Sequence, residues 1–187
     1  MGKGAELTMA KNVLILSSSL RKGGNSDLLC DEFVKGVREI GHNAEKIFLK
    51  DKSINYCTGC GYCFERTGNC SQKDDMADIR DKMLSADVIV FATPVYFYTM
   101  AGQMKTLIDR CCFFYTELTD KDFYYIMTAA DNNRSAMERV LTEFGGFVAC
   151  LDNVREKGCI YGTGAWKKGD ILKTGAMRDA YEMGKHI

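Results

Sequence analysis

The sequence predicts an α/β fold in which a parallel β-sheet is covered by helices on both faces. Short apolar runs alternate with amphipathic helical segments five times along the 187 residues, which is the pattern of consecutive βα units. The clearest run, VIVFAT at 88–93, is apolar at almost every position. Parallel strands that are buried on both faces have this continuous apolar character.

The predicted strands and helices alternate from residue 12 onwards. NVLIL at 12–16 predicts the first strand, and the pair Asn25-Ser26 offers a cap to a helix whose apolar residues recur at helical spacing. Gly41 ends that helix, and a weaker strand follows at 44–49. Further strands are predicted at 88–93, 123–130 and 154–161, and further helices from Asp74-Asp75 and at 102–114, 135–144 and 171–186.

Length and charge narrow the class of protein. The chain is long enough for one domain, which we place at 11–187 behind a flexible leader at 1–10. Lys plus Arg and Asp plus Glu both number 25, which argues against a nucleic-acid partner and against a polybasic membrane-surface protein. No segment approaches the roughly 20 apolar residues of a membrane span, and no secretory signal is visible. The sequence therefore predicts a cytoplasmic protein.

The nine cysteines fall into two groups. Four lie close together in a long loop at 50–73 that has no periodic apolar face, namely Cys57, Cys60, Cys63 and Cys70. Cytosolic thiols stay reduced, so this group predicts a metal or redox site. The other five are scattered among apolar residues, and we predict that they are buried in the core as small hydrophobic side chains: Cys30, Cys111, Cys112, Cys150 and Cys159.

Hydroxyl and glycine residues follow the first predicted strand. Residues 17–26 read SSSLRKGGNS, and in open α/β sheets ligands bind beyond the carboxyl ends of the strands. Hydroxyls, free amides and a helix N-terminus together form an anion site, to which Arg21 can add a bidentate contact. The segment therefore predicts a phosphate-binding loop, with an ordinary capped turn as the alternative. It contains neither GxxxxGK[ST] nor GxGxxG.

Two further loops are predicted at the same edge of the sheet. Pro94, the only proline, is predicted to stop the third strand, and three aromatic residues follow it at 96–98. A flat aromatic ligand can stack there, although packing against the core or a neighbouring subunit is an equal alternative. Residues 129–134 follow the fourth strand and either close the pocket or form a polar turn.

Several motifs together resemble the NADPH-dependent FMN reductase family. They are Ser17-x-Ser19-x-Arg21 with Asn25-Ser26, Thr93-Pro94-Val95-Tyr96, and Gly102-Gln-Met-Lys105-x-x-x-Asp109-Arg110. The spacing Cys-x2-Cys-x2-Cys-x6-Cys resembles the iron–sulfur flavoprotein branch of that family. The first loop departs from the family's frequent Ser-Gly-Ser-Pro-Arg, since Ser18 and Leu20 replace the glycine and the proline, but it keeps the hydroxyls and the arginine.

The resemblance implies a flavodoxin-like three-layer sandwich with a five-stranded parallel sheet in the order 2-1-3-4-5. It implies that FMN phosphate is held by Ser17, Ser19, Arg21, Asn25 and Ser26. It places the isoalloxazine ring against Pro94, Val95, Tyr96 and Phe97, with Ala130 and Asp131 on the third loop. It further implies a homodimer or a homotetramer.

The cysteine loop leaves three interpretations open. Four thiolates can hold a [4Fe–4S] centre, and here the ligands would be Cys57, Cys60, Cys63 and Cys70, with a longer last spacing than the ferredoxin pattern. The alternatives are empty or disulfide-linked thiols, and zinc, whose sites usually pair two separated knuckles.

The function implied is an FMN-dependent oxidoreductase that passes electrons from NAD(P)H through flavin to a small acceptor such as a flavin or a quinone. No catalytic side chain is predicted, because the cofactor carries the chemistry. The alternative is an iron–sulfur flavoprotein that exchanges single electrons with a ferredoxin-like partner. A zinc-stapled binding module is the third hypothesis.

Overall fold

A parallel sheet forms the centre of the computed structural model, which describes residues 9–66 and 69–187. Its strands are β1 (Asn12–Ser17), β2 (Asn43–Phe48), β3 (Val88–Tyr96), β5 (Asp122–Thr128) and β6 (Arg155–Gly162), and a short strand, β4 (Thr99–Met100), pairs antiparallel with the end of β3. The parallel strands lie in the order β2-β1-β3-β5-β6. The predicted fourth and fifth strands are β5 and β6, so this order confirms the predicted flavodoxin-like arrangement 2-1-3-4-5. The short strand β4 is an addition that the sequence did not predict.

Helices cover both faces of the sheet. The first face carries α1 (Asn25–Glu39) and α6 (Ala176–Lys185), and the other carries α3 (Met76–Ser85), α4 (Gly102–Arg110) and α5 (Glu138–Val148). A short helix, α2 (Tyr62–Glu65), lies within the cysteine-rich loop. The result is the three-layer sandwich that the alternation of strands and helices predicts.

Two separate apolar cores follow from the period of the strands. Successive side chains of a strand point to opposite faces, so Val13 and Ile15 pack with α1 while Leu14 and Leu16 pack with the core of α3 and α5. In β3, all residues from Val88 to Thr93 are buried. The apolar run at 88–93 is therefore the central strand of the sheet.

The element boundaries differ from the sequence prediction in two ways. Pro94 does not stop the third strand, because β3 continues to Tyr96 and Pro94 lies in register with Thr128. On the other side of β3, strand β1 has already ended opposite Ala92. No strand on that side therefore needs a hydrogen bond from the N–H that proline lacks. Several predicted helix ends are also short 3₁₀ turns, at Cys111–Phe113, Arg134–Met137 and Asp170–Lys173.

The predicted leader at 1–10 falls largely outside the described residues, which begin at Met9. That assignment and the single domain at 11–187 stay predictions. Within the described part of the chain, no helix has both the length and the apolar character that crossing a membrane requires.

Helices α1 and α6 approach each other through glycines. A Cβ atom added at Gly36 would overlap the carbonyl oxygen of Tyr181, and one added at Gly184 would overlap that of Phe33. The backbones touch directly there, so neither position has room for a side chain. Gly146 in α5 is different, because no atom lies within 4 Å of its Cβ position.

These two environments predict opposite effects of adding one methyl group. Gly36→Ala should lower the free energy of unfolding by about 1–3 kcal/mol or more, because the helices must move apart. Gly146→Ala should raise it by up to about 1 kcal/mol, because alanine favours a helix interior. Urea unfolding at fixed pH measures both values, and an unchanged midpoint for Gly36→Ala would contradict the direct helix contact.

Candidate functional site

The three predicted loops meet at the carboxyl edge of the sheet. Ser18 donates from its backbone N–H and from its hydroxyl to the Ala92 carbonyl of β3, at 2.9 Å and 3.1 Å. The hydroxyls of Ser26 and Thr128, at the end of β5, lie 2.6 Å apart. The loop after β1 is thus bonded to the end of β3, and the first turn of α1 is bonded to the end of β5, as a shared site for these loops requires.

Serine hydroxyls shape the loop after β1. Ser17 and Ser19 are buried, and the Ser17 hydroxyl accepts the N–H of Ser19 at 3.4 Å. The Ser19 hydroxyl accepts the N–H of Arg21 at 3.3 Å and lies 3.2 Å from its carbonyl, to which it donates. Arg21 is exposed, so its guanidinium is accessible to a ligand.

The N-terminus of α1 has no side-chain cap. Its N-cap is Gly24, so the predicted cap by Asn25-Ser26 is wrong. The first N–H groups of a helix have no partner inside the helix, and together with the helix dipole they attract an anion. Gly24 itself fits tightly, because a Cβ there would lie 2.8 Å from the Arg21 carbonyl.

A buried carboxylate stands beside this helix end. Asp27 is 5% exposed, accepts the Gly23 N–H at 2.6 Å and is paired with Lys46, which also contacts Asp31. Burial acts to lower the pKa of Lys46, but its hydrogen bonds with Asp27 and Asp31 hold that pKa above the usual value. The ammonium therefore stays charged and offsets the Asp27 charge next to the anion site.

Asn25 fails to cap α1 because its side chain binds a distant loop. Its amide nitrogen donates to the carbonyls of Ala165 and Lys167, both at 3.0 Å. Its amide oxygen accepts the N–H groups of Gly169 at 3.0 Å and Ile171 at 3.4 Å. Asn25 thereby fixes the loop between β6 and α6 beside the start of α1.

The second loop is a tight hairpin with an aromatic tip. Phe97 and Tyr98 connect β3 to β4 with φ angles of 50° and 65°, a left-handed conformation that two-residue hairpins require and that Asn and Gly usually supply. Phe97 is 97% exposed and Tyr96 is 44% exposed, whereas Pro94 and Val95 are half-buried. The Thr93 hydroxyl accepts the Ala101 N–H at 3.0 Å and closes the base of the hairpin.

The third loop is a hydrogen-bonded polar turn. Ala130 and Asp131 are exposed, and the Asp131 carboxylate accepts the Asn133 N–H at 2.8 Å. The Asp131 carbonyl accepts the Gly164 N–H at 2.8 Å, which joins this turn to the loop after β6. The third loop therefore lies at the same carboxyl edge of the sheet as the first two loops and forms a rim there.

The cysteine-rich loop folds against the end of α4. Five thiols line a cavity of about 70 Å³ there: those of Cys57, Cys60, Cys63 and Cys70, and that of Cys112. All nine cysteines are free thiols. Among the described residues, however, no group of three or more ligating side chains is arranged to hold a metal ion. The four predicted ligands thus share a cavity without converging on one point.

The prediction that five cysteines are buried in the core is confirmed for Cys30 and Cys111. Cys159 packs against the core but is only half-buried, and the prediction is wrong for the other two. Cys150 is exposed. Cys112 lines the cysteine cavity, where burial first, and then the charge and hydrogen bond of Cys63, raise the pKa of its thiol. No spacing in the sequence connects Cys112 to the motif, because α4 and the turn after it, rather than the loop, bring it there.

The family comparison decides the affiliation of this scaffold. A model of the NADPH-dependent FMN reductase family matches residues 11–149. The chain belongs to this family. An iron–sulfur flavoprotein of Archaeoglobus fulgidus is 42% identical over 100 residues, which are 54% of this chain and 44% of that protein. The chain thus spans about half the length of the curated relatives it matches.

Solved structures show that the fold of this FMN reductase family member is shared more widely. An NAD(P)H:quinone oxidoreductase from Methanothermobacter marburgensis aligns with a TM-score of 0.77 and 15% identity, over 95% of this chain and 96% of that one. An FMN-dependent NADH-azoreductase from Bacillus anthracis, solved in complex with FMN, aligns with a TM-score of 0.70 and 15% identity, over 95% and 99%.

A buried ion pair attaches the cysteine-rich loop to this FMN reductase scaffold. The Arg110 guanidinium at the end of α4 donates to the Asp74 carboxylate at 2.6 Å and 3.0 Å, and both side chains are at most 3% exposed. Arg110 also donates to the Asn55 carbonyl at 2.8 Å and to the Cys70 sulfur at 3.6 Å. One guanidinium therefore holds both ends of the loop. Asp74 also accepts the Met76 N–H at the start of α3, at 3.2 Å.

The charge state of Asp74 follows from these contacts. Burial acts to raise the pKa of this carboxyl, but hydrogen bonds from Arg110 and from the N–H groups of Asn55 and Met76 prevail and lower it to about 2. A carboxyl whose pKa is lower when folded than when unfolded stabilises the fold above its unfolded pKa. That stabilisation, about 2 kcal/mol here, is lost as the pH falls from about 4 through 2.

Asp74→Asn should therefore lower the free energy of unfolding by at least about 2 kcal/mol at pH 7, because it leaves Arg110 buried without its counter-ion. The gap between the wild type and the variant should close as the pH falls from about 4 to 2. Urea unfolding across this pH range measures it, with Asp78→Asn as the control. Asp78 contacts Lys52 at 3.4 Å on the surface, where an ion pair contributes about 1 kcal/mol or less. A gap that stays constant with pH would contradict the ion pair.

Proposed function

We propose that this protein is an FMN-dependent oxidoreductase, and one observation carries the proposal. The uncapped N-terminus of α1 and the serine loop before it are bonded to the ends of β3 and β5 at the carboxyl edge of the sheet. A phosphate fits such a helix end. We assign it to Ser17, Ser19, Arg21 and Ser26, with Asn25 beside them.

The aromatic hairpin supports the same proposal. Its half-buried base and exposed tip offer a flat apolar surface beside the phosphate loop, and we place the isoalloxazine ring of FMN on Pro94, Val95, Tyr96 and Phe97. The rim formed by Ala130 and Asp131 would close the other side. Aromatic residues in left-handed backbone conformations are rare, and a ligand or a second subunit that covers Phe97 would account for them.

Bound FMN would supply the redox chemistry, taking a hydride from NAD(P)H and passing electrons to a small acceptor such as a flavin or a quinone. The protein's own residues would bind the phosphate, orient the ring and limit the access of water. No acid or base side chain is assigned to the reaction. A homodimer or homotetramer remains our expectation, with the exposed hairpin at its interface.

Flavin binding tests this proposal directly. The purified wild type should bind one FMN with a flavin absorbance spectrum and oxidise NADH or NADPH when a quinone is added. Arg21→Ala should raise the Kd for FMN about tenfold, because a charge-assisted contact to the phosphate is removed. Arg38→Ala is the matched control, since Arg38 is exposed in the last turn of α1, at the opposite end of that helix from the phosphate loop. A wild type that neither contains nor binds FMN would refute the proposal.

An iron–sulfur flavoprotein is the second candidate, and the cysteine cavity favours it. The four motif thiols line that cavity beside Arg110, whose buried Nε has no hydrogen-bond partner. A buried N–H without a partner is costly, and cluster sulfides or thiolates are suitable acceptors. The curated Archaeoglobus relative bears this name. The loop would have to draw its thiolates closer together than they lie here, and electrons would then pass singly to a ferredoxin-like partner.

Anaerobic reconstitution tests the second candidate. The wild type should take up about four iron atoms and four acid-labile sulfides per chain if it holds a [4Fe–4S] centre. Serine substitution of Cys57, Cys60, Cys63 or Cys70 should each lower the iron content strongly. Cys111→Ser is the buried control and Cys112→Ser is the control within the cavity, and both should retain iron. Zinc uptake without iron, or no metal at all, would exclude the cluster.

A further inference from the structure

The Asn25 side chain binds the loop between β6 and α6 to the start of α1. Asn25 makes four hydrogen bonds to the backbone of that loop, at Ala165, Lys167, Gly169 and Ile171, with distances from 3.0 Å to 3.4 Å. The Lys167 N–H also binds the Asp170 carboxylate at 2.6 Å. The backbone on both sides of residue 168 is therefore fixed relative to the start of α1.

Within this loop, the Lys168 side chain lies against the phosphate loop at Gly23. A Cβ atom placed on Gly23 would lie 3.1 Å from the Lys168 Cε and 3.2 Å from its Nζ. Gly23 has a φ of 66°, which favours glycine. A side chain at position 23 would crowd the end of Lys168, and glycine leaves room for it. The Lys168 ammonium group therefore lies directly beside the loop that follows β1.

The other lysines near this loop are already paired. Lys22 lies 3.2 Å from the Asp51 carboxylate, and Lys46 contacts Asp27 and Asp31. Among the described residues, no carboxylate lies within ion-pair distance of Lys168. Its charge is therefore available to an anion at the uncapped end of α1.

We infer that Lys168 binds the phosphate of FMN beside the serine loop and makes the site selective for the phosphorylated flavin. The inference rests on the proposed flavin function, and it assigns a phosphate contact to a segment that carries no phosphate-binding motif. Asn25 is then a positioning residue, which holds Lys168 in place through the backbone on either side of it.

The experiment compares FMN with riboflavin, which lacks only the phosphate. Kd values are measured by flavin fluorescence for the wild type, Lys168→Ala, Lys168→Arg and Lys167→Ala. Lys168→Ala should weaken FMN binding about tenfold, because a charge-assisted contact contributes roughly that factor, and leave riboflavin binding within about twofold. The difference should shrink at 1 M salt, where exposed charges are screened over about 3 Å.

The two controls separate charge from loop structure. Lys168→Arg keeps the charge and should bind FMN nearly as well as the wild type does. Lys167→Ala removes the neighbouring exposed lysine and should change neither Kd. Equal FMN affinity for the wild type and Lys168→Ala would overturn this inference alone, as would equal weakening of both flavins, which would show a structural role for the lysine. A wild type that binds neither flavin would overturn the proposed function as well.

Discussion

The two hydrogen bonds from Ser18 to the Ala92 carbonyl determine how the candidate site is built. They join the first loop to the end of β3 at the point where β1 stops and β3 continues. From these adjacent central strands the chain leaves towards opposite faces, to α1 on one side and through the hairpin to α4 on the other. The crevice between the two departures is where open α/β sheets bind ligands. The serine loop and the aromatic hairpin can therefore serve one ligand only because this register is fixed.

The cysteine-rich loop depends on a different interaction, the ion pair between Arg110 and Asp74 at the end of α4. Its ends are joined by Ser53 and Asp75, and by Asn55 and Asp74, before Arg110 binds Asn55 and Asp74. Because Arg110 also contacts the Cys70 sulfur, the same ion pair that closes the loop places a positive charge at the cysteine cavity.

The sequence predicts the features that arise from local patterns and misses those that arise from distant contacts. The apolar run at 88–93 and the polar ends of the strands suffice for the fold and for the edge where the loops meet. The local sequence predicts that Asn25 caps α1, but its side chain binds Ala165, which lies 140 positions away. No local pattern indicates that bond. The sequence predicts that Pro94 ends its strand, but the effect of a proline depends on whether a neighbouring strand needs its N–H. Here β1 has already ended opposite Ala92, so β3 continues. Cys112 reaches the cysteine cavity only through the turn after α4.

Because the chain has no net charge, the attraction of an anion to the candidate site depends on the charges close to it. With 25 basic and 25 acidic residues, no general positive field attracts a phosphate to the sheet edge. Lys22, Lys46 and Lys50 gather around the Phe48 ring, but each of them lies next to an aspartate. The carboxylates of Asp27, Asp31 and Asp51 largely neutralise the charge of these lysines, so the lysines attract an incoming anion only weakly. The attraction therefore has to come from the uncapped helix and from Arg21 and Lys168, which have no ion-pair partner within residues 9–66 and 69–187. Under the proposed function, these groups would discriminate between a phosphorylated and an unphosphorylated flavin.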